Sequence, residues 1–522
     1  MNTPVYRSFQ EAAQEINELL PVDYFLAKEV VGSLITQTKH DQAALFHIVI
    51  ALSQSVQQGH TCLPIKQIAG IRLGVATDSE GNIDKQGYIF DSLADLTSLL
   101  SRINLAPEQN NLLVLSDHCL YLRRYYLFEK ELSIALSNKI SCDSRYQPED
   151  ITQTLCALFP KEPLSAVEKA QSSDLINEID WQKVSVANAL NKNFSVIAGG
   201  PGTGKTYTVT KLLAALVMLE QQTAISSDSG MRYALIAQRL SESILQAIEQ
   251  FKGKIAESVL NKIPTEALTI HRLLGFIPNS PNFRYNDKNL LPVDFLLIDE
   301  ASMVDLALLT RVFRALAPHT KIVLLGDADQ LPSVSVGNVL ADIAPRPHPG
   351  YSKENGHYLR QVLGDKLNIN HKNYADHLTF LLKSRRFDGE GGIGKLAKFV
   401  IAGDSQKSWQ LLNDALEKNI GGSGSEADQN TELSLISPLA DNVTKSNKNL
   451  SKVKDTTTQD ILPAFIKKYY QALFTCKSSQ AAFGVLHQFR ILCATRQGPQ
   501  GVDIINEHII EFFKRQGLVS HH

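Results

Sequence analysis

Residues 198–206 read AGGPGTGKT, which puts Gly199, Gly204, Lys205 and Thr206 at the spacing G-x-x-x-x-G-K-[ST]. The apolar run FSVIAG (194–199) precedes this stretch and the helical pattern YTVTKLLAALVML (207–219) follows it. That strand, loop and helix context is what the spacing needs to bind phosphate. Glycine lets the backbone of Gly199, Gly200, Pro201, Gly202, Thr203 and Gly204 curl until its N–H groups and the helix N-terminus face an anion. The Lys205 ammonium then lies between β- and γ-phosphates, and the Thr206 hydroxyl is placed for a magnesium ion. The expected ligands are ATP and Mg2+. A chance glycine-rich turn would satisfy the pattern without its flanks.

Working outward, FLLIDEASMVD (295–305) carries four apolar residues into Asp299 and Glu300, at the carboxyl end of a strand where α/β sheets hold their ligand groups. Asp299 is expected to hold the metal, and Glu300 to orient or deprotonate an attacking water. Taken alone, Asp-Glu at a strand end is also an ordinary polar terminus; beside a phosphate loop it reads as chemistry. A third apolar run, KIVLLGDADQLPSV (321–334), ends in Asp327, Asp329 and Gln330, and Gln330 is placed to sense the γ-phosphate. A plain polar turn before Leu-Pro is the bland alternative. With YALIA (233–237), these runs imply a doubly wound α/β sheet carrying a P-loop NTPase site.

The 522 residues exceed one ordinary domain. Four segments are expected: a mainly helical N-terminal domain (1–140), a polar connector (141–175), a first RecA-like ATPase domain (176–345) and a second, incomplete one (346–522). LLVLSDHCLYLRRYYLFEKELSIAL (112–136) reads as a strand pair turning into a helix. Its cluster Arg123, Arg124, Tyr125, Tyr126 fits snorkelling arginines over packed rings better than a binding patch. Helices are expected at 377–383 and 393–402. A net charge of −2 neither invites nor excludes nucleic acid. The six scattered cysteines form no C-x-x-C pair, which argues against a disulfide framework or zinc ribbon. With no apolar stretch of about 18 residues and no signal-like start, no membrane is expected and the cytoplasm is the simple location.

The order GGPGTGKT, TIHRLLG (269–275), LLIDEASMVD, LLGDADQLPSV and LLKSRRF (381–387) resembles the superfamily-1 helicases, and within them the RecD family. DWQKVSVANAL (180–190), CLPI (62–65), LYLRRYY (120–126) and FRILCATRQGPQGVDIINEHI (489–509) extend the resemblance over nearly the whole chain. The resemblance implies an ATP-driven 5′-to-3′ DNA helicase. It would work on single- and double-stranded DNA ends in a heterotrimer with RecB- and RecC-like subunits, in double-strand break repair by homologous recombination. It further implies that Gln182 reads adenine, that Gln330 touches the γ-phosphate, and that Arg386 reaches across from a second motor domain to the transferring phosphoryl group. Thr269 and His271 would meet the DNA strand, or Thr269 would simply start a helix. The N-terminal domain would dock on the RecC-like partner, and the nuclease would belong to the RecB-like one.

Two departures from the family pattern stand out. Where the family has a PTGKAA-type DNA-contact loop, Ala237 runs directly into Gln238 and Arg239, and the sequence ends at GLVSHH before the family's TxHKSQG- and TRAR-like motifs. The expectation for this polypeptide in isolation is therefore ATP binding, weak hydrolysis and no strand separation. Two other readings remain open: a subunit that binds nucleotide and partners structurally, or a P-loop ATPase acting on something other than DNA.

Overall fold

The computed structural model describes residues 5–34, 38–77, 83–141, 146–160, 179–223, 231–236, 240–280, 282–364, 372–383, 391–420, 433, 458–498 and 500–518. The chain divides into two compact units, Met1–Arg386 and Phe387–His522.

The first unit begins with helices α1 (Phe9–Glu15), α2 (Pro21–Ser33) and α3 (Lys39–Gln57). Ser8 and Thr38 cap α1 and α3 by accepting from Glu11 N–H and Asp41 N–H, and Pro21 opens α2 where its missing N–H costs nothing. Apolar residues ring α3, so it runs through the middle of the N-terminal core formed with Tyr24, Val30, Leu63 and Leu120. Strands β1 (Cys62–Pro64), β2 (Leu113–Ser116) and β3 (Cys119–Leu122) form an antiparallel sheet in the order β1-β3-β2. Helix α4 (Leu93–Arg102) precedes β2, and α5 (Arg123–Ile140) follows β3. This is the strand pair turning into a helix that the sequence pattern predicts. Arg123 spends its guanidinium on the carbonyls of Asn111, Pro107 and Gln109, which is a structural duty.

After α6 (Pro148–Leu158) comes the sheet that carries the phosphate loop. In chain order its elements are α7 (Trp181–Asn191), β4 (Phe194–Gly199), α8 (Lys205–Thr223), β5 (Tyr233–Ile236), α9 (Leu240–Phe251), β6 (Ala267–Leu268), α10 (Ile270–Leu274), β7 (Phe295–Ile298), α11 (Leu306–Arg314), β8 (Lys321–Gly326), α12 (Lys353–Leu363) and β9 (Leu378–Leu381). Among the described residues the sheet has six strands, all parallel, in the order β6-β5-β7-β8-β4-β9. Every residue of β4, β7, β8 and β9 is buried, which is why those runs lack polar alternation. The chain leaves β4 and returns as β5 three places away, so β4 lies at the switch in strand order, where a crevice opens at the carboxyl ends.

Residues 378–381 form strand β9 and not the helix expected over 377–383. LTFL is too short a run for its period to distinguish helix from strand, and its Thr and Phe favour the pleated surface beside β4. Because β9 completes this sheet, the first unit runs to Arg386, past the boundary at 345 drawn from the sequence.

Helix α5 belongs to both halves of the first unit. Its Phe128, Leu132 and Leu136 sit in the same core cluster as Phe194, Val312 and Phe313 of the ATPase sheet and its helices. Lys139 Nζ donates to the carbonyls of Ala317, Pro318 and Thr320 at 2.9, 2.9 and 2.6 Å, and Arg314 pairs with Glu131 through two nitrogens.

The second unit contains helices α13 (Gly392–Ile401), α14 (Ser405–Ile420), α15 (Thr458–Tyr470), α16 (Ser479–Gln488) and α17 (Val502–Arg515), with a small core of Ile466, Tyr470 and Phe513. Among its described residues there is no strand. No helix among the described residues is long and apolar enough to cross a membrane.

Candidate nucleotide-binding site

The loop between β4 and α8 is a preformed cradle. Gly202 and Gly204 take φ of +77° and +85°, the left-handed region that a side chain resists. At Gly199 a Cβ would lie 2.7 Å from Thr203 Oγ1 and 3.0 Å from the Leu381 carbonyl oxygen, so the neighbouring strand excludes any larger residue. Thr203 Oγ1 donates to the Gly200 carbonyl at 2.9 Å, and Gln182 Nε2 donates to the Thr203 carbonyl at 3.2 Å, tying α7 to the loop. Lys205 Nζ folds back onto the carbonyls of Gly199 and Gly200 at 2.6 and 3.3 Å, which holds its charge over the cradle.

Asp299 and Glu300 leave the end of β7 beside this loop. The Asp299 carboxyl is pushed above the usual carboxylate range, first by burial and also by the Glu300 charge; the Glu300 N–H, which donates to Asp299 Oδ1 at 2.9 Å, and the Lys205 charge pull it back. Glu300 takes a left-handed φ of +50°, a strained backbone for a residue with a Cβ and one that collects at functional sites. That turn keeps its carboxylate exposed while Asp299 stays in.

One cleft of about 780 Å³ gathers Gln182, Gly200, Pro201, Gly202, Thr203, Gly204, Lys205, Thr206, Asp299, Glu300 and Gln330. These residues span almost 150 positions of sequence, and the sheet brings them to one face. Gly199 lies beneath the loop as the last residue of β4. The cleft also has a wall that sequence reasoning missed: Tyr207 on α8, and Ser243, Gln246, Ala247 and Gln250 on α9. The i, i+3, i+4, i+7 spacing of those α9 positions was the available signal: it puts the polar Ser243, Gln246 and Gln250, with the buried Ala247, on one face of the helix.

Thr269 and His271 stand apart, in a second, open cleft of about 600 Å³ with Arg272, Gly275 and Phe276. Thr269 is the N-cap of α10, its Oγ1 accepting from Arg272 N–H at 3.3 Å, yet both Thr269 and His271 are exposed. The His271 ring meets Phe283 edge-on at 5.7 Å. Arg386, and the Ala237, Gln238 and Arg239 junction, lie outside the described residues.

Two family models match the chain. The RecBCD enzyme subunit RecD N-terminal domain covers residues 16–121, and an AAA domain covers residues 182–336. The RecBCD enzyme subunit RecD of Haemophilus influenzae is 35% identical over 351 residues, 65% of this chain and 52% of that protein. The RecBCD enzyme subunit RecD of Mycolicibacterium smegmatis is 28% identical over 514 residues, 96% of this chain and 74% of that protein. The chain is similar to RecD subunits over most of its length. It spans about half the length of the Haemophilus relative, and an ATP-dependent RecD2 DNA helicase of Deinococcus radiodurans matches 37% of it at 35% identity. The RecD N-terminal match ends at residue 121, directly before α5, the helix whose apolar face packs on the ATPase core. The AAA match begins at Gln182 and ends beyond Gln330, and so encloses the whole phosphate cleft among the described residues.

Proposed function

We propose that this chain is the ATP-hydrolysing DNA helicase subunit of a RecBCD-type complex, moving 5′ to 3′ on single strands at DNA ends during double-strand break repair by homologous recombination. The observation that carries this reading is the convergence of Lys205, Thr206, Asp299, Glu300 and Gln330 on one cleft above a parallel sheet. The names of its relatives, a RecBCD subunit and a DNA helicase, support the polymer and the RecB- and RecC-like partners. Residues 1–140 are assigned to partner docking and the unit from Phe387 onward to a second, incomplete RecA-like motor domain.

Within the cleft Lys205 neutralises charge between the β- and γ-phosphates, and the cradle N–H groups hold their oxygens. Thr206 and Asp299 would hold magnesium. The fit is chemical: oxygen donors only, and a buried carboxyl raised by its surroundings, which a cation would relieve. Magnesium, when bound, neutralises charge on the phosphates. Glu300 accepts the proton of the attacking water, and Gln330 hydrogen-bonds the γ-phosphate. Gln182 reads the adenine edge, Arg386 is assigned to stabilising charge on the transferring phosphoryl group, and Thr269 and His271 meet the DNA strand.

The test is ATP turnover with and without single-stranded DNA. Turnover should rise with the strand, and Lys205→Ala should abolish it while the far-ultraviolet circular dichroism stays unchanged. Turnover indifferent to DNA would overturn the helicase reading, and wild-type turnover in Lys205→Ala would overturn the assignment of the cleft.

A further inference from the structure

At the phosphate cleft the strands stand in the order β8, β4, β9, and one side chain links the two that flank the loop-bearing strand. Arg346 follows β8 in sequence by twenty residues of turn and short helix. Its Nη1 lies 3.0 Å from Asp329 Oδ2 and its Nη2 3.8 Å from Asp327 Oδ1, both just past the end of β8. Its guanidinium carbon lies 4.7 Å from the centre of the Phe380 ring on β9, and Phe380 stands in register with Ala198 of β4. The guanidinium therefore straps the end of β8 to β9, on either side of the strand that becomes the phosphate loop.

What it straps is the turn bearing Gln330. Asp327 is almost fully buried; its Oδ1 accepts from Asp329 N–H at 3.1 Å, and its carbonyl accepts from Gln330 N–H at 3.2 Å. A Cβ placed on Gly200 would lie 3.9 Å from Asp327 Oδ2, so the same carboxylate abuts the phosphate loop. Arg346 does not itself line the nucleotide cleft. We propose that Arg346 is a positioning residue for γ-phosphate recognition: it fixes the Asp327–Gln330 turn against the phosphate loop, so that Gln330 meets a triphosphate without reorganising. The proposal rests on the reading of Gln330 as the γ-phosphate contact.

Arginine is required by shape. Only a planar guanidinium can stack on Phe380 and fork towards two carboxylates at once, whereas an ammonium is a point charge that must choose. Half-exposed ion pairs add little to stability, so the strap is better explained by the geometry it imposes than by the fold it supports.

The test compares affinity for Mg-ADP with affinity for the non-hydrolysable analogue Mg-AMP-PNP in the full chain. Arg346→Ala should leave ADP binding within about twofold and weaken AMP-PNP about tenfold, the value of one hydrogen bond to a charged group. Arg346→Lys should resemble Arg346→Ala. Asp329→Asn, which keeps the backbone turn and removes the charge facing Arg346, should shift the same ratio and carries the test should Arg346→Ala fail to fold. An unchanged ratio, or equal weakening of both nucleotides, overturns the proposal. A Gln330→Ala variant separates the two levels: if it leaves the ratio unchanged, the reading of Gln330 falls, whereas a shift with Gln330→Ala and none with Arg346→Ala removes only the strap.

Discussion

Acid should loosen the N-terminal core through a single histidine. His47 sits on α3, almost without solvent exposure, with Nδ1 donating to the Ala43 carbonyl at 2.7 Å and Nε2 accepting from the Tyr6 hydroxyl at 3.0 Å. Its ring stacks on Tyr88 at 3.8 Å, nearly parallel. Burial lowers its pKa from 6.5 to about 4, although the bond to the Ala43 carbonyl pulls the other way. The folded state thus prefers neutral imidazole, while the unfolded chain takes up a proton near pH 6.5. The stabilising difference is complete above the unfolded pKa and is lost as pH falls towards the folded one. From those two values, the loss between pH 7 and pH 4.5 is about 2 kcal/mol for this group alone. Hydrogen exchange of the α3 amides, corrected for intrinsic rates, reads the local opening free energy across that range. His47→Gln keeps a polar side chain and removes the titration, so its α3 protection should fall less steeply on acidification. Parallel pH profiles for the wild type and the variant would refute the argument.

Glu300→Gln should bind Mg-ATP with near wild-type affinity and hydrolyse it at least about 100-fold more slowly, because an amide keeps the shape but takes no proton; equal loss of binding, seen by fluorescent-nucleotide titration, would make Glu300 a ligand or a structural residue instead. Lys139→Met should destabilise the first unit by about 2–4 kcal/mol in urea unfolding, since three carbonyls lose a buried donor; a change under about 0.5 kcal/mol, the range of a neutral surface substitution, would show that the α5 junction is held by its apolar face alone.

The phosphate cleft was legible in the sequence because its chemistry is local. A loop of fixed spacing and two strand ends each announce themselves within ten residues, and an α/β sheet can only bring strand ends together at its carboxyl edge. Residues that act through long-range packing gave no such signal. Arg346 follows a short helix in a Pro-rich stretch whose local pattern says loop, and only the strand order reveals that it faces Asp329 and Phe380. Strand β9 was hidden because four apolar residues carry no period. Helix α5 was legible as a helix but not as a joint: Phe128, Leu132 and Leu136 give an ordinary amphipathic face, and nothing in their spacing says which core they fill.

That joint changes how the first unit should be understood. A cut at residue 140 would separate two cores on paper, yet it would strip Phe128, Leu132 and Leu136 from the ATPase sheet and Lys139 from the carbonyls of Ala317, Pro318 and Thr320. A second tie lies nearer the nucleotide, where the Gly337 N–H, seven residues past Gln330, donates to the Gly59 carbonyl at the end of α3 at 2.9 Å. The segment from Leu331 to Val336 between the Gln330 turn and that bond is largely exposed, whereas the α5 joint is packed. The N-terminal region is therefore built into the frame of the ATPase, through the apolar face of α5 and through Lys139, and is not a separable appendage.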